Sequence, residues 1–130
     1  MIKVVVAGNF FPLHDGHINH FKEARKLGDW LIIIIGSDDY LRMRGKQLYL
    51  SEINRQIQLK NWADEVIVAE ETDGTIAKTL YWVKPKIYAK GEDTVTIPEN
   101  ELAVCKEINC KVVYGVGKEL YHSSDFKEEI

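Results

Sequence analysis

Residues 1–17 read MIKVVVAGNFFPLHDGH, and their reading decides the fold. Residues 2–6 are an apolar, largely β-branched run that predicts a strand. The loop behind it ends in His14-Asp15-Gly16-His17. Residues 16–27 then predict a helix, with Ile18, Phe21, Ala24 and Leu27 three apart and Gly28 as a stop signal. Two imidazoles and a glycine therefore stand where a strand hands over to a helix N-terminus. Such a junction attracts anions, because unsatisfied backbone N–H groups and the positive end of the helix dipole both face out of it. Gly16 leaves no side chain where a phosphate would approach the backbone. The stretch reads as a phosphate-handling loop with two imidazoles built in.

Outward from this loop the chain alternates. Strands are predicted at residues 2–7, 30–36, 65–69, 86–89 and 111–114. Helices are predicted at 16–27, 51–62, 74–83 and 98–108, with a short final one after Ser124. Ser51 is a good N-cap, and Ile53 and Ile57 mark the expected inner face of its helix. Lys84-Pro85 closes one helix and Pro98 opens the next. Residues 30–35 are apolar throughout, the pattern of a parallel strand covered on both faces. The expected fold is α/β: a doubly wound, parallel, five-stranded Rossmann-like sheet with helices on both faces. In such sheets ligands bind beyond the carboxyl ends of the strands, where the strand order reverses. The loops at residues 8–17, 37–50 and 90–97 should face that point.

Composition bounds the partners. A chain of 130 residues with 45% hydrophobic and 28% charged residues is expected to form one soluble domain spanning residues 1–130. A net charge of −3 gives no support for a nucleic-acid partner. The apolar run at residues 30–35 is far short of the ~20 needed to cross a bilayer. With no signal-peptide pattern at the N-terminus, no membrane partner is expected and the cytoplasm is the expected compartment. Cys105 and Cys110 read as small buried hydrophobes rather than a disulfide. A zinc site at His14, His17 and His20 would lack a fourth ligand nearby.

Gly8-Asn9-Phe10 together with His14-x-Gly16-His17 resembles the G-T-F-D-x-x-H-x-G-H signature of the cytidylyltransferase-like nucleotidylyltransferases. The resemblance continues through residues 24–31, Arg55, residues 63–67 and Lys90-Gly91-Glu92-Asp93 to the end of the chain. Within the family the chain is most similar to glycerol-3-phosphate cytidylyltransferase and to the nucleotidyl domain of ADP-heptose synthase. The resemblance implies transfer of a nucleoside monophosphate from CTP or ATP, with Mg²⁺, to a small phosphorylated polyol or sugar, releasing pyrophosphate. It implies that His14 and His17 donate hydrogen bonds to the phosphates. It also implies that Lys46 and Arg44 supply catalytic charge, although cations in a loop are commonly only solvated. Gly8, Asn9, Phe10, Gly16, Gly91, Glu92, Asp93, Ser123 and Ser124 would bind the nucleotide, Arg55 would contact the acceptor, and the enzyme would be a homodimer. Phe11 replaces the signature aspartate, and Asn61 stands where the glycerol-3-phosphate branch has arginine. These two changes disfavour glycerol 3-phosphate, and they also admit a second reading: a nucleotide-binding or regulatory protein of this fold without turnover.

Overall fold

The computed structural model describes residues 1–10, 13–45, 50–91 and 97–117. The order along the chain is β1 (Lys3–Ala7), α1 (Asp15–Arg25), β2 (Trp30–Gly36), α2 (Asp38–Met43), α3 (Glu52–Leu59), β3 (Glu65–Ala69), α4 (Ala77–Val83), β4 (Ile87–Ala89), α5 (Glu99–Glu107) and β5 (Lys111–Val113). The five strands are parallel in the order β3-β2-β1-β4-β5. The order reverses between β1 and β4, so the switch point lies beside the loop that leaves β1. The expected α/β, doubly wound, Rossmann-like sheet is the fold observed.

Period-two alternation divides the strands between two cores. Val4, Val6, Leu31, Ile33 and Ile35 face α1 and α3, where Phe21, Ala24 and Leu59 meet them. Val5, Ile32, Ile34 and Tyr88 face the other way, toward Leu80 of α4 and Cys105 of α5. This is why β2 carries no polar residue between Leu31 and Ile35. Asp64 ties the entry of β2 in place, accepting from the Leu31 N–H at 2.8 Å and from Arg25 at 3.0 Å. Cys105 and Cys110 are buried and free, as expected of small hydrophobes, and burial pushes the Cys110 thiol up to about 12. No helix among the described residues is long and apolar enough to cross a membrane.

Three expectations are corrected. The stretch after β2 contains α2, where only a loop was expected. Ser37 caps it by accepting from the Tyr40 N–H at 3.0 Å, and Asp38 and Asp39 oppose its dipole. Six residues are too few to show helical periodicity. In the next helix the inner face is not Ile53 and Ile57, which are 65% and 62% exposed, but Arg55 and Leu59. A buried arginine reverses the hydrophobic pattern there. Finally, α4 begins at Ala77 rather than Gly74, because Asp73 holds the Thr75 N–H in a turn at 3.0 Å. The final short helix expected after Ser124 lies outside the described residues.

The α3 correction has a measurable consequence. Ile57→Gln is expected to change stability by no more than about 0.5 kcal/mol, as for most surface positions. Leu59→Ala in the core is expected to cost about 2–5 kcal/mol. Urea denaturation of the two variants checks the orientation, and a core-sized loss from Ile57→Gln would reverse it.

Candidate active site

The loop that leaves β1 runs through Gly8 and Asn9 into α1. Gly8 donates its N–H to the Ile34 carbonyl at 3.0 Å, which fastens the loop to the end of β2. Asn9 Oδ1 accepts from the Gly36 N–H at 3.4 Å. Phe10 has a left-handed backbone, φ 51°, and its ring packs edge-on against Phe21 and His17 at centroid distances of 4.7 and 5.2 Å. A side chain on Gly8 would meet the Phe10 Cζ at 3.0 Å, so glycine permits this fold-back. The side chain of Phe10 thus serves the packing of α1, while its backbone stays at the loop.

At the start of α1 the two histidines form a capping box built from imidazoles. His14 Nδ1 accepts from the Gly16 N–H at 3.1 Å, and His17 Nδ1 accepts from the His14 N–H at 3.4 Å. Each ring therefore has Nδ1 as acceptor, which places the proton of the neutral imidazole on Nε2. The rings stack 3.7 Å apart, 21° from parallel. Two ring N–H donors are thereby paired at a helix N-terminus beyond the carboxyl end of β1. The arrangement suits an anion with several oxygens, such as a polyphosphate.

His20, one turn further along α1, faces away into the protein. Its Nδ1 bonds the Val116 carbonyl at 2.9 Å. Burial lowers its pKa, the Val116 bond opposes that, and the nearby charge of Lys90 adds to the lowering. Among the described residues no group of three or more His, Cys, Asp or Glu is placed to hold a metal ion. Gly91 at the end of β4 lies against His20, with a built Cβ 3.9 Å from the ring, so β4 and α1 close on each other here.

Arg44 and Arg55 are separated from each other in environment. Arg44 ends α2 and donates to the Tyr40 hydroxyl at 2.8 Å, beside Gly74. Arg55 is 2% exposed and is bonded to Asp38 at 3.1 Å and to the Leu50 carbonyl at 3.3 Å. The structure thus brings Gly8, Asn9, Phe10, His14, Gly16, His17 and Gly91 to one end of the sheet, with Arg44 on the adjoining α2. It places Arg55 in the interior beneath α2. Lys46, Phe11, Glu92, Asp93, Ser123 and Ser124 lie outside the described residues. Asn61 is exposed after α3, donating to the Gln58 carbonyl at 3.2 Å. Its neighbour Asp64 bonds Leu31 near the amino end of β2, at the opposite end of the sheet from the histidines.

Beneath Gly8 and Asn9, on the α4–α5 side of the sheet, lies a cavity of about 250 Å³. Tyr88, Lys90 and Glu101 line it; of the three the sequence marks only Lys90, as part of Lys90-Gly91-Glu92-Asp93, and gives it no role of its own. Glu101 is 4% exposed, and its carboxylate accepts from the Tyr88 hydroxyl at 2.9 Å and from the Ile76 N–H at 3.0 Å. Burial, with Glu101 next, drives the Tyr88 phenol far above its ordinary pKa, so it stays protonated. The available signal was the i, i+4 pair Glu101 and Cys105, which places a carboxylate on the inner face of α5.

The chain belongs to the cytidylyltransferase-like family, whose model matches residues 5–128. An FAD synthase of Picrophilus torridus is 35% identical over 136 residues, covering 99% of this chain and 96% of that protein. The glycerol-3-phosphate cytidylyltransferase of Bacillus subtilis is 30% identical over 132 residues, covering 100% of this chain and 98% of that protein. A solved structure described as the lipopolysaccharide core biosynthesis protein from Thermoplasma volcanium shares 35% identity and a TM-score of 0.75, covering 88% of this chain and 95% of that one. The curated relatives named here are nucleotidyltransferases.

Proposed function

We propose that this member of the family transfers the adenylyl group of ATP to the phosphate of a phosphorylated polyol, with FMN the acceptor to test first. The observation that carries the reading is the pair of stacked imidazoles at the N-terminus of α1, 3.7 Å apart beside the β1–β4 switch point. ATP and FMN are favoured by the FAD synthase that matches nearly the whole chain. FMN is itself a phosphorylated polyol, carrying its phosphate on a ribityl chain.

The acceptor's phosphate is already an anionic nucleophile, so no protein nucleophile is needed. Its oxygen attacks the α-phosphorus, the bond from that phosphorus to the oxygen bridging the β-phosphate breaks, and pyrophosphate leaves. Catalysis is then positioning and charge stabilisation. His14 and His17 donate through Nε2 to phosphate oxygens as charge develops. The loop at Asn9 and Phe10 completes the cradle, the Gly8 and Gly16 N–H groups being held by the Ile34 carbonyl and His14 Nδ1. Mg²⁺ enters as part of the substrate, bound to the triphosphate, and the described residues offer no carboxylate cage that would hold it independently. Arg44, at the end of α2, and Lys46 supply positive charge to the phosphates. Gly91, Glu92 and Asp93 hold the base and ribose, while Ser123 and Ser124 hold the triphosphate. The reaction takes place in the cytoplasm, in a homodimer.

CTP with glycerol 3-phosphate is the second reading, favoured by a cytidylyltransferase relative aligned over the full chain. Asn61, in place of the arginine of the glycerol-3-phosphate branch, and Phe11 count against this pair. Pyrophosphate release, measured for ATP and CTP against FMN and glycerol 3-phosphate, decides between the readings. ATP with FMN is expected to give the highest kcat/KM. No release with any phosphorylated acceptor would leave the binding-protein reading standing instead.

A further inference from the structure

The cavity beneath Gly8 and Asn9 holds a chain of polar contacts that the adenylyl-transfer reading does not use. Lys90 Nζ donates to the Tyr88 hydroxyl at 3.2 Å and lies 4.7 Å from the centre of the Tyr88 ring. Tyr88 in turn donates to Glu101 at 2.9 Å. Glu101 is held by the Ile76 N–H, so the whole chain is fixed from α5 and the start of α4 to the end of β4. A hydroxyl can donate once and accept as well, and Tyr88 does both here. The ammonium therefore has one of its three protons engaged among the described residues. Among the described residues no carboxylate lies within ion-pair distance of it. Burial lowers the Lys90 pKa, while Glu101 opposes the shift.

A half-buried cation with no direct counter-charge among the described residues, facing a cavity, is a place for an anion. The position says which one. The histidines and the α1 N-terminus lie on one side of the sheet, and the cavity lies on the other, toward α4 and α5. Gly8 and Asn9 line the cavity and belong to the loop that leads to the histidines. Two phosphates that must react, one approached from each side, would meet at that loop. Apart from Lys90 and the carboxylates the walls are mostly uncharged, with Ile34, Ile76 and Pro98 among them and Tyr40 and Thr75 able to meet hydroxyls.

We propose that Lys90 binds the phosphate of the acceptor, a phosphomonoester on a polyol chain, and that the Tyr88–Glu101 pair positions the ammonium for it. The proposal deepens, and rests on, the nucleotidyl-transfer reading. Lys90 is the specificity-determining cation of the acceptor side, and Tyr88 and Glu101 are positioning residues that act through it.

Direct binding tests this apart from turnover. Titration calorimetry would use FMN and glycerol 3-phosphate, each beside its phosphate-free alcohol (riboflavin and glycerol), and ATP as the control. The wild-type chain is expected to bind one of the two phosphomonoesters more tightly than the matching alcohol. Lys90→Met should weaken that phosphomonoester tenfold to a hundredfold, with ATP affinity within about twofold of wild type. Lys90→Arg should recover part of the loss, and Tyr88→Phe should cost a few-fold while keeping the cation. Unchanged phosphomonoester binding in Lys90→Met overturns the proposal. So does an equal loss of ATP binding, which would assign Lys90 to the triphosphate, and so does a wild-type chain that binds neither phosphomonoester. Failure of the transfer reading looks different: Lys90-dependent phosphomonoester binding would persist while no nucleotide released pyrophosphate.

Discussion

His14→Ala and His17→Ala should each lower kcat by about 10²–10³-fold, the usual consequence of deleting one preorganised donor to a developing phosphate charge. Both kcat and kcat/KM should fall together, because the donors act most strongly in the transition state. The structure adds a complication to His14, since its ring is also the N-cap of α1. Removing the cap should cost about 0.5–2 kcal/mol of stability in addition. His14→Asn separates the two roles. Asparagine keeps a side-chain oxygen for the Gly16 N–H but lacks the imidazole Nε2–H, so stability should return while turnover stays low. Pyrophosphate release and urea denaturation on the same samples give both readouts. Turnover within about threefold of wild type in His17→Ala would remove that ring from the mechanism. Full turnover in His14→Asn would reduce His14 to a cap.

The strand-to-helix junction was legible because each part of it is a local signal. A β-branched run, a glycine and a regularly spaced apolar face specify their own conformations with little help from the rest of the chain. The continuous apolar run of β2 likewise encoded burial on both faces, and both cores meet it. What the sequence concealed depends on distant partners. Arg55 takes an inner position on α3 only because Asp38 and the Leu50 carbonyl wait for it, and Ile53 and Ile57 are turned outward as a result. The stretches 24–31 and 63–67 pointed to the family, yet Asp64 uses them to join α1, β2 and the turn before β3. Their resemblance reports the fold rather than the chemistry. Lys90 was visible as part of a family-like segment. Its link to Glu101 crosses from β4 to α5, and no local pattern carries that contact.

Arg55 supplies the second large effect, on stability. Its guanidinium bonds Asp38 at 3.1 Å, and Asp38 Oδ1 also accepts from the Glu52 N–H at 2.9 Å. Glu52 returns the bond, accepting from the Asp38 N–H at 3.0 Å. The start of α2 and the start of α3 are therefore clasped by reciprocal caps, with the arginine beneath them. Arg55 is 2% exposed and the Asp38 side chain 18%, so solvent screens the pair weakly. Breaking such a pair leaves a poorly solvated charge, and Arg55→Ala should cost about 3–5 kcal/mol. Arg55→Met fills more of the volume but still strands the carboxylate, so it should remain strongly destabilised. Adding Asp38→Asn should restore part of the stability, since the neutral amide needs no counter-charge and its oxygen can still accept from Glu52. Denaturant midpoints for the two single variants and the pair measure the coupling. A loss below about 1 kcal/mol in Arg55→Ala would mean the clasp carries little energy. A pair that is stable yet has a sharply raised acceptor KM would return Arg55 to the substrate role that the sequence resemblance implied.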